Sequence, residues 1–181
     1  MARIAATEDE EAVRGEGVAV LRGRARFDST RTVLAEGHEV AAHRVVIATG
    51  SEPLIPPVPG LADLDLLTSD NVFDLARLPA SLAVLGGGPI GCELAQAFAR
   101  LGAKATVVEA QSRLLPAGEP EASRVVEERF RTEGIDVRTG AEAVRAHTAG
   151  PRDRIDLAAG APVTAERVLV AVGRSPDTAG L

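Results

Sequence analysis

Apolar residues along this chain form short runs of strand length that alternate with longer stretches of helical spacing. The clearest pattern lies between Leu82 and Ala110, where an apolar run leads into a glycine-rich turn, a helix-forming segment and a second apolar run. The helix-forming segment covers Glu93 to Arg100, and Gly102 ends it. This order of elements predicts a βαβ unit with two parallel strands.

The same alternation continues toward the C-terminus. From Pro120 to Glu133 apolar residues recur on one helical face, and Gly134 follows as a stop, so this segment predicts a second crossover helix. Further runs of strand length are Ile135 to Arg138, Ala143 to His147, Arg154 to Leu157 and, as a buried closing strand, Arg167 to Ala171.

Shorter pieces precede the βαβ pattern. Thr7 and Glu10 have the spacing of a capping box and predict the tail of a helix that runs to Arg14. Ser69 predicts a capped, brief helix from Asp70 to Ala76. Turn residues separate the pieces of a small β-meander, namely Val18 to Leu21, Ala25 to Phe27, Thr32 to Ala35 and His38 to Ala41, and an apolar strand from Arg44 to Ala48 follows them.

The glycine-rich turn has the spacing G-x-G-x-x-G at Gly86, Gly88 and Gly91. We expect Gly86 to make the tight turn, Gly88 to let the backbone touch a pyrophosphate, and Gly91 to let the helix pack closely. The N-terminus of that helix offers unpaired N–H groups and the positive end of its dipole to the phosphates. The preceding strand, the following helix and an acidic residue 18 positions after Gly91 complete the pattern, which favours a dinucleotide site over an isolated glycine turn.

The acidic residue is Glu109, at the end of the second predicted strand. A carboxylate there accepts hydrogen bonds from an adenosine ribose and repels a 2′-phosphate, so Glu109 favours NAD(H) over NADP(H). Two alternatives stay open at this point: an ordinary exposed glutamate at a strand end, and a weakening of the discrimination by Arg113.

Composition narrows the class of protein. A chain of 181 residues has room for one domain or one and a fraction, and 45% hydrophobic residues suffice for a core although only 2% of residues are aromatic. The net charge of −6 argues against a nucleic-acid surface. We find neither an 18-residue apolar run nor an apolar signal segment, which predicts a soluble, cytoplasmic protein.

Cys92 is the only cysteine, which excludes an internal disulfide and a redox-active cysteine pair within the chain. Its place after Gly91 allows two interpretations. The helix dipole could lower the pKa of the thiol, or Cys92 could be a small buried residue that packs against the sheet. We favour the second.

Two segments repeat each other: Arg44 to Pro53 (RVVIATGSEP) and Arg167 to Pro176 (RVLVAVGRSP), 123 residues apart. Two such closing strands indicate two nucleotide-binding folds. The second fold extends 87 residues from Gly86 to Gly173, and the same interval counted back from Gly50 falls before Met1. We therefore expect the tail of one nucleotide-binding domain joined to nearly all of another.

Three motifs in order carry a family resemblance: ATGSEPLIPPVPG from Ala48, LGGGPIGCELAQAFARLGAKATVVE from Leu85, and AVGRSPDT from Ala171. Together they resemble the pyridine nucleotide-disulfide oxidoreductases, which include dihydrolipoamide dehydrogenase, glutathione reductase and mercuric reductase, and they are most similar to the mercuric reductase-like branch. The resemblance implies an α/β, Rossmann-like FAD/NAD(P)-binding fold with a parallel sheet, crossover helices and a small β-meander. It also implies that hydride passes from nicotinamide to FAD and then to a cysteine pair.

The resemblance also implies roles for single residues. It places the NAD pyrophosphate on Gly86 to Gly91, with Ile90 close to the dinucleotide and Glu109 on the ribose, and it places Glu93 near nicotinamide and flavin. For Glu93, simple stabilisation by the helix dipole stays open as an alternative. Asp177 departs from the usual asparagine of the family motif. The implied cofactor-binding residues are Gly86, Gly88, Pro89, Ile90, Gly91, Glu93, Glu109, Val144 near the adenine, Gly173 beside the nicotinamide end, and Thr49 and Gly50 against FAD.

The FAD fingerprint, the cysteine pair and the dimerisation domain of that family have no counterpart in the chain. We therefore predict a C-terminal remainder of a FAD-binding domain at 1–55, a Pro-rich linker at 56–68 and an NAD(H)-binding domain at 69–181. The predicted function is the NAD(H)-binding portion of a FAD-dependent oxidoreductase that reduces a disulfide or a metal ion, with the FAD and dimerisation domains of a longer chain as partners. FAD is not expected to be held by this chain alone, and neither catalytic nor metal-binding residues are assigned. The alternative is a free-standing nucleotide-binding module that docks on a separate flavoprotein without catalysis of its own.

Overall fold

The computed structural model describes residues 10–181, so Thr7 of the predicted capping box lies outside the described residues. The chain forms two compact units. The larger unit is Ser51–Pro176, and the smaller consists of the residues up to Gly50 together with Asp177–Leu181. These units begin and end at residues other than the predicted domain boundaries at 55 and 68.

A four-stranded parallel sheet is the centre of the larger unit. Its strands are β5 (Ser81–Leu85), β6 (Lys104–Glu109), β7 (Asp136–Thr139) and β11 (Arg167–Val170), in the order β11-β5-β6-β7. Helix α2 (Pro89–Leu101) connects β5 to β6, and helix α3 (Pro120–Thr132) connects β6 to β7. The predicted α/β fold with a parallel sheet and crossover helices is confirmed.

Apolar side chains cover both faces of this sheet, which explains why β5 reads as a continuous apolar run. Leu82, Val84 and Val107 pack in one core with Phe98 of α2 and Phe130 of α3. On the other face lies a three-stranded antiparallel sheet of β8 (Ala143–Ala149), β9 (Arg152–Leu157) and β10 (Val163–Ala165). It forms a second core that contains Ala83, Leu85, Ile155 and Val168.

The segment predicted as a Pro-rich linker at 56–68 belongs to the larger unit. Leu61, Leu64 and Leu67 are buried, and Leu61–Asp63 form a 3₁₀ helix. Leu67 pairs with Leu169 as a parallel bridge at the edge of the sheet. Residues 61–67 therefore pack as part of the core, which an extended linker does not do.

The predicted helix from Asp70 to Ala76 is wrong, because only a 3₁₀ turn, Val72–Asp74, forms there. The Asn71 side chain accepts a hydrogen bond from the Thr68 amide (2.8 Å) and donates to the Leu66 carbonyl (3.1 Å). Such local bonds from side chain to backbone compete with helix formation.

The ends of the two repeated segments pair with each other. β4 (Ser51–Pro53) and β12 (Arg174–Pro176) form an antiparallel ribbon in which Glu52 lies opposite Ser175. The Leu54 amide extends it by donating to the Gly173 carbonyl at 3.0 Å. The repeat therefore has a structural role that sequence periodicity did not predict.

The smaller unit contains α1 (Glu10–Gly15) and the antiparallel meander of β1 (Ala25–Ser29), β2 (Thr32–Ala35) and β3 (His38–Ala41). The meander is confirmed, although Val18 to Leu21 are not part of it. The predicted strand from Arg44 to Ala48 is wrong. In the described part of this unit no strand pairs with it, Val46 is 88% exposed, and a single strand cannot satisfy its own hydrogen bonds. Within residues 10–181, no helix has the length and apolar character needed to cross a membrane.

Glu133, at the end of α3, joins the two crossover helices. Its carboxylate accepts hydrogen bonds from Arg100 (2.8 Å) and Gln96 (3.0 Å) of α2 and from Arg129 (2.6 Å) of α3. The hydrogen bond from Arg100 is the main cause that lowers the pKa of Glu133 to about 2.

We expect Glu133→Gln to lower the melting temperature, and to do so in a pH-dependent way. A carboxylate with a lowered pKa in the folded state stabilises the fold fully above its unfolded pKa of about 4.3, and this contribution is lost as the pH falls toward the folded value. The difference in melting temperature between wild type and variant should therefore be constant above about pH 5 and shrink at lower pH.

Scanning calorimetry across this pH range measures the effect. Glu121→Gln is the matched control, because Glu121 makes one exposed ion pair on the same helix and such pairs contribute little. A melting-temperature difference for Glu133→Gln that does not change with pH would contradict the expectation.

Candidate functional site

A cleft of about 860 Å³ opens at the carboxyl ends of β5, β6 and β11. In parallel α/β sheets this edge is where ligands bind. The glycine turn after β5, Glu109 at the end of β6 and the segment from Val170 to Arg174 after β11 line the cleft. The sequence-predicted residues that line it are Gly86, Gly88, Pro89, Ile90, Glu109, Val144 and Gly173.

The three glycines of the motif differ in what surrounds them. A Cβ on Gly86, whose φ is 105°, would lie 2.4 Å from the Ala171 carbonyl oxygen, and a Cβ on Gly91 would lie 2.0 Å from the Gly86 carbonyl oxygen. The glycine turn, the residue after β11 and the first turn of α2 are therefore in close backbone contact. A Cβ on Gly88 would meet no atom within 4 Å. Gly88 thus leaves its side of the turn open at the N-terminus of α2.

Gly87 fixes the backbone of the turn, and the sequence analysis missed it. Its N–H donates to Oε2 of Glu109 at 2.6 Å, and its carbonyl accepts from the Leu115 amide at 2.8 Å. A Cβ there would lie 2.5 Å from the Leu114 side chain. The signal in the sequence was the run of three consecutive glycines, of which the motif uses only two.

Glu109 is 8% exposed. It is therefore not an ordinary exposed glutamate at a strand end, which was the first alternative left open by the sequence. Its Oε1 accepts from the Gln111 amide at 2.7 Å while Oε2 holds Gly87. These two hydrogen bonds fix the carboxylate at the wall of the cleft. Electrostatically, this is a site that favours hydroxyl donors and disfavours a second anion.

Arg113, which the second alternative held to weaken the preference for NAD(H), binds groups of its own loop and of α3. Its guanidinium donates to the hydroxyl of Ser123, which is 2% exposed, and Ser123 in turn donates to the Leu114 carbonyl. The other acceptors are the carbonyls of Leu115, Pro116 and Gly118. Arg113 thus organises the loop between β6 and α3.

Arg174, which lines the cleft, ties together three segments. It donates to Ser51 Oγ (2.7 Å) and to the Ser51 carbonyl (2.5 Å), to Ser69 Oγ (2.6 Å), and to Asp70 Oδ1 (2.8 Å). The hydrogen bond from Arg174 is the main cause that lowers the pKa of Asp70. Ser69 and Gly173, which line the cleft, are held by this cluster and by the bond from Leu54.

Other predicted residues lie elsewhere. Glu93 lines a separate groove between α2 and α3. Thr49 and Gly50 belong to the smaller unit, where the Thr49 hydroxyl donates to the Asp177 carbonyl and the Asp177 amide donates to the Gly50 carbonyl (3.0 Å). The structure therefore gathers Gly86, Gly88, Glu109, Val144 and Gly173 in one cleft. Gly91, which packs against Gly86, and Glu93 do not line it.

Cys92 is buried, and desolvation is the main cause that raises the pKa of its thiol to about 11. The thiol donates to the Gly87 carbonyl at 3.3 Å, which supports the packing interpretation over a reactive thiolate. Among residues 10–181, His, Cys, Asp and Glu side chains do not form a group of three that could hold a metal ion.

Comparison with known proteins places these features in a family. Residues 5–181 match the family described as "Pyridine nucleotide-disulphide oxidoreductase". The chain is 40% identical to a mercuric reductase of Shigella flexneri over 169 residues, which covers 89% of this chain and 30% of that protein. It is 35% identical to a dihydrolipoyl dehydrogenase of Bacillus subtilis over 178 residues, which covers 91% of this chain and 37% of that protein.

Solved structures give the same result. The crystal structure of LpdA from Mycobacterium tuberculosis superposes with a TM-score of 0.81 at 30% identity, over 99% of this chain and 42% of that one. The HOCl-induced flavoprotein disulfide reductase RclA from Escherichia coli superposes with a TM-score of 0.77 at 30% identity, over 90% of this chain and 38% of that one. The chain spans well under half the length of these relatives. With its sequence matched from residue 5 to residue 181, the chain belongs to the pyridine nucleotide-disulphide oxidoreductase family.

Proposed function

We propose that this chain is the NAD(H)-binding portion of a FAD-dependent oxidoreductase, which receives NAD(H) in the cleft at the end of the parallel sheet. The observation that carries the proposal is the glycine turn whose backbone Glu109 holds by the Gly87 amide (2.6 Å). Members of the family use FAD and NAD(P)H. The proposed reaction of the whole protein is the reduction of a disulfide or a metal ion. The proposed division of the chain is a FAD-domain remainder at 1–55, a Pro-rich connecting segment at 56–68 and an NAD(H)-binding domain at 69–181.

Two features of the cleft support the binding of a dinucleotide. Gly88 offers open space where a side chain would otherwise stand, and it is the N-cap of α2 with Pro89 as the first helical residue. A thirteen-residue helix that begins at the cleft supplies unpaired N–H groups to a diphosphate. When bound, the nicotinamide ring supplies the hydride.

The residues of the chain bind and orient. The turn from Gly86 to Gly91 is proposed to hold the diphosphate, Glu109 to accept from ribose hydroxyls, and Val144 to contact the adenine. Gly173, whose carbonyl accepts a hydrogen bond from the Leu54 amide, is proposed to lie beside the nicotinamide end of the bound dinucleotide. Thr49 and Gly50 are proposed to belong to the FAD side, and Glu93 to lie near nicotinamide and flavin in the whole protein.

Preference for NAD(H) over NADP(H) rests on charge. Glu109 places a carboxylate at the wall of the cleft, and a 2′-phosphate beside it would be repelled. Arg113, the nearest basic residue in sequence, donates to four acceptors of its own loop and its neighbouring helix. The N–H groups that make these bonds are therefore directed at the loop and helix and not at a 2′-phosphate.

We expect the purified chain to bind NADH with a dissociation constant in the micromolar range or weaker, and NADPH more weakly. Glu109→Gln should weaken NADH binding by about tenfold, or about 1.4 kcal/mol, because a charged acceptor is lost. The same substitution should reduce the preference for NADH over NADPH. Isothermal titration calorimetry with both nucleotides measures the two effects.

Glu128→Gln is the control, because Glu128 is exposed on α3 and does not line the cleft. It should bind NADH as the wild type does. A wild-type chain without saturable NADH binding, or a Glu109→Gln variant indistinguishable from it, would remove the assignment of the site.

We further expect the purified chain to lack the yellow absorbance of bound flavin and to leave NADH unoxidised, because hydride transfer needs an acceptor beside the nicotinamide. Absorbance spectroscopy and an NADH oxidation assay measure both. Bound flavin that copurifies in stoichiometric amounts would show that the chain holds FAD by itself and would overturn this expectation.

A further inference from the structure

The Pro-rich segment that begins with Pro53 at the end of β4 lines the same cleft as the glycine turn. Its cleft-lining residues are Pro53, Pro56, Pro57, Val58 and Pro59. None of the family motifs discussed above assigns a ligand to them, and the sequence predicted an extended linker for most of this stretch. Their place in the cleft therefore needs a separate explanation.

Both ends of this segment are anchored. At one end, β4 pairs with β12 and the Leu54 amide donates to the Gly173 carbonyl at 3.0 Å. At the other end, the Pro59 carbonyl accepts from the Ala146 amide of β8 at 2.8 Å. A Cβ on Gly60 would lie 2.1 Å from the Ala146 carbonyl oxygen, so the chain there runs against β8. The segment is therefore fixed at both of its own ends.

Proline chemistry determines what such a wall can bind. Proline has a fixed φ and no N–H, so Pro56, Pro57 and Pro59 present apolar rings without a donor. The glycine turn presents N–H groups and suits an anion, whereas the proline wall suits the flat face of a heterocycle. Val58 and Val144 both line the cleft. The bond from the Ala146 amide to the Pro59 carbonyl joins the end of the wall to β8 two residues after Val144.

We propose that the segment Pro53–Pro59 is a binding wall of the dinucleotide cleft and that its Pro57–Pro59 part packs on the adenine ring together with Val144. This inference rests on the proposed function and adds the ring-binding surface to it. The carbonyl bond to Ala146 and the ribbon with β12 keep the wall in place before the nucleotide arrives, which lowers the entropy cost of binding.

Pro57→Asp tests the wall. Pro57 is exposed and has no N–H to lose, so the substitution changes the surface of the cleft and spares the backbone bonds. We expect the variant to bind NADH and ADP about tenfold more weakly, by the same factor for both, because both carry adenine. The loss should persist at about 0.5 M salt, where long-range repulsion of the diphosphate is screened.

Two variants serve as controls. Pro57→Ala keeps an apolar surface and should bind both nucleotides within about threefold of wild type, a difference below 1 kcal/mol. Pro151→Asp adds the same charge to an exposed proline that does not line the cleft and should leave affinity unchanged. Circular dichroism and melting temperature establish that each variant is folded.

Four results would overturn the inference. The wall does not contact the nucleotide if the Pro57→Asp variant binds NADH as tightly as the wild type does, or if its loss of affinity disappears in high salt. A loss for NADH without a loss for ADP would remove the adenine placement. If the wild-type chain binds neither nucleotide, the proposed function fails together with the wall, whereas wild-type binding with an unaffected Pro57→Asp refutes the wall alone.

Discussion

The hydrogen bond from the Gly87 amide to the Glu109 carboxylate, 2.6 Å long, is the contact on which the cleft depends. It joins the turn after one central strand to the end of the next. A buried carboxylate needs such donors, because a charge removed from water without hydrogen bonds is costly. The second donor is the Gln111 amide at 2.7 Å, so both oxygens are bound and the wall of the cleft is set before any ligand is present.

Close backbone packing completes this arrangement. Gly86 leaves no room for a side chain beside the Ala171 carbonyl, and Gly91 leaves none beside Gly86. The Leu115 amide holds the Gly87 carbonyl from the opposite loop, with Leu115 itself at a positive φ of 48°. A side chain at a positive φ is strained, and the loop organised by Arg113 retains it. The turn, the loop after β6 and the end of β11 therefore support one another.

Sequence reasoning predicted the parts whose pattern comes from burial. β5, β6 and β7 appear in the sequence as runs of strand length, and α2 and α3 show a helical period, because one or both of their faces lie in a core. β10 was missed because three residues are too few to show a period, and the ribbon of β4 and β12 was missed because its backbone pairs hold it without an apolar pattern. The strand at Arg44 to Ala48 was predicted from apolar residues alone, yet a strand also needs neighbours that donate and accept hydrogen bonds.

The candidate site also contains residues that a sequence pattern predicts and residues that only contacts distant in sequence make important. The motif glycines and Glu109 were predicted because dinucleotide binding fixes their spacing along the chain, and Gly173 was predicted from the family resemblance. Gly87, Arg174 and the proline wall were not, because their importance arises from residues far away in sequence, such as Glu109 for Gly87 and Ala146 for Pro59. Composition alone favours a flexible connection for a proline-rich stretch, and only the anchors at its two ends make it a surface.

The register of the ribbon between β4 and β12 places Ser51, the first residue of the larger unit, opposite Pro176, its last. A domain whose two ends are neighbours has the geometry of an inserted domain. It can be spliced into a surface loop of a host protein, or removed from one, without stretching the host backbone, which is why domains with adjacent termini are tolerated as insertions. The ribbon thus gives Ser51–Pro176 the geometry of a transferable module.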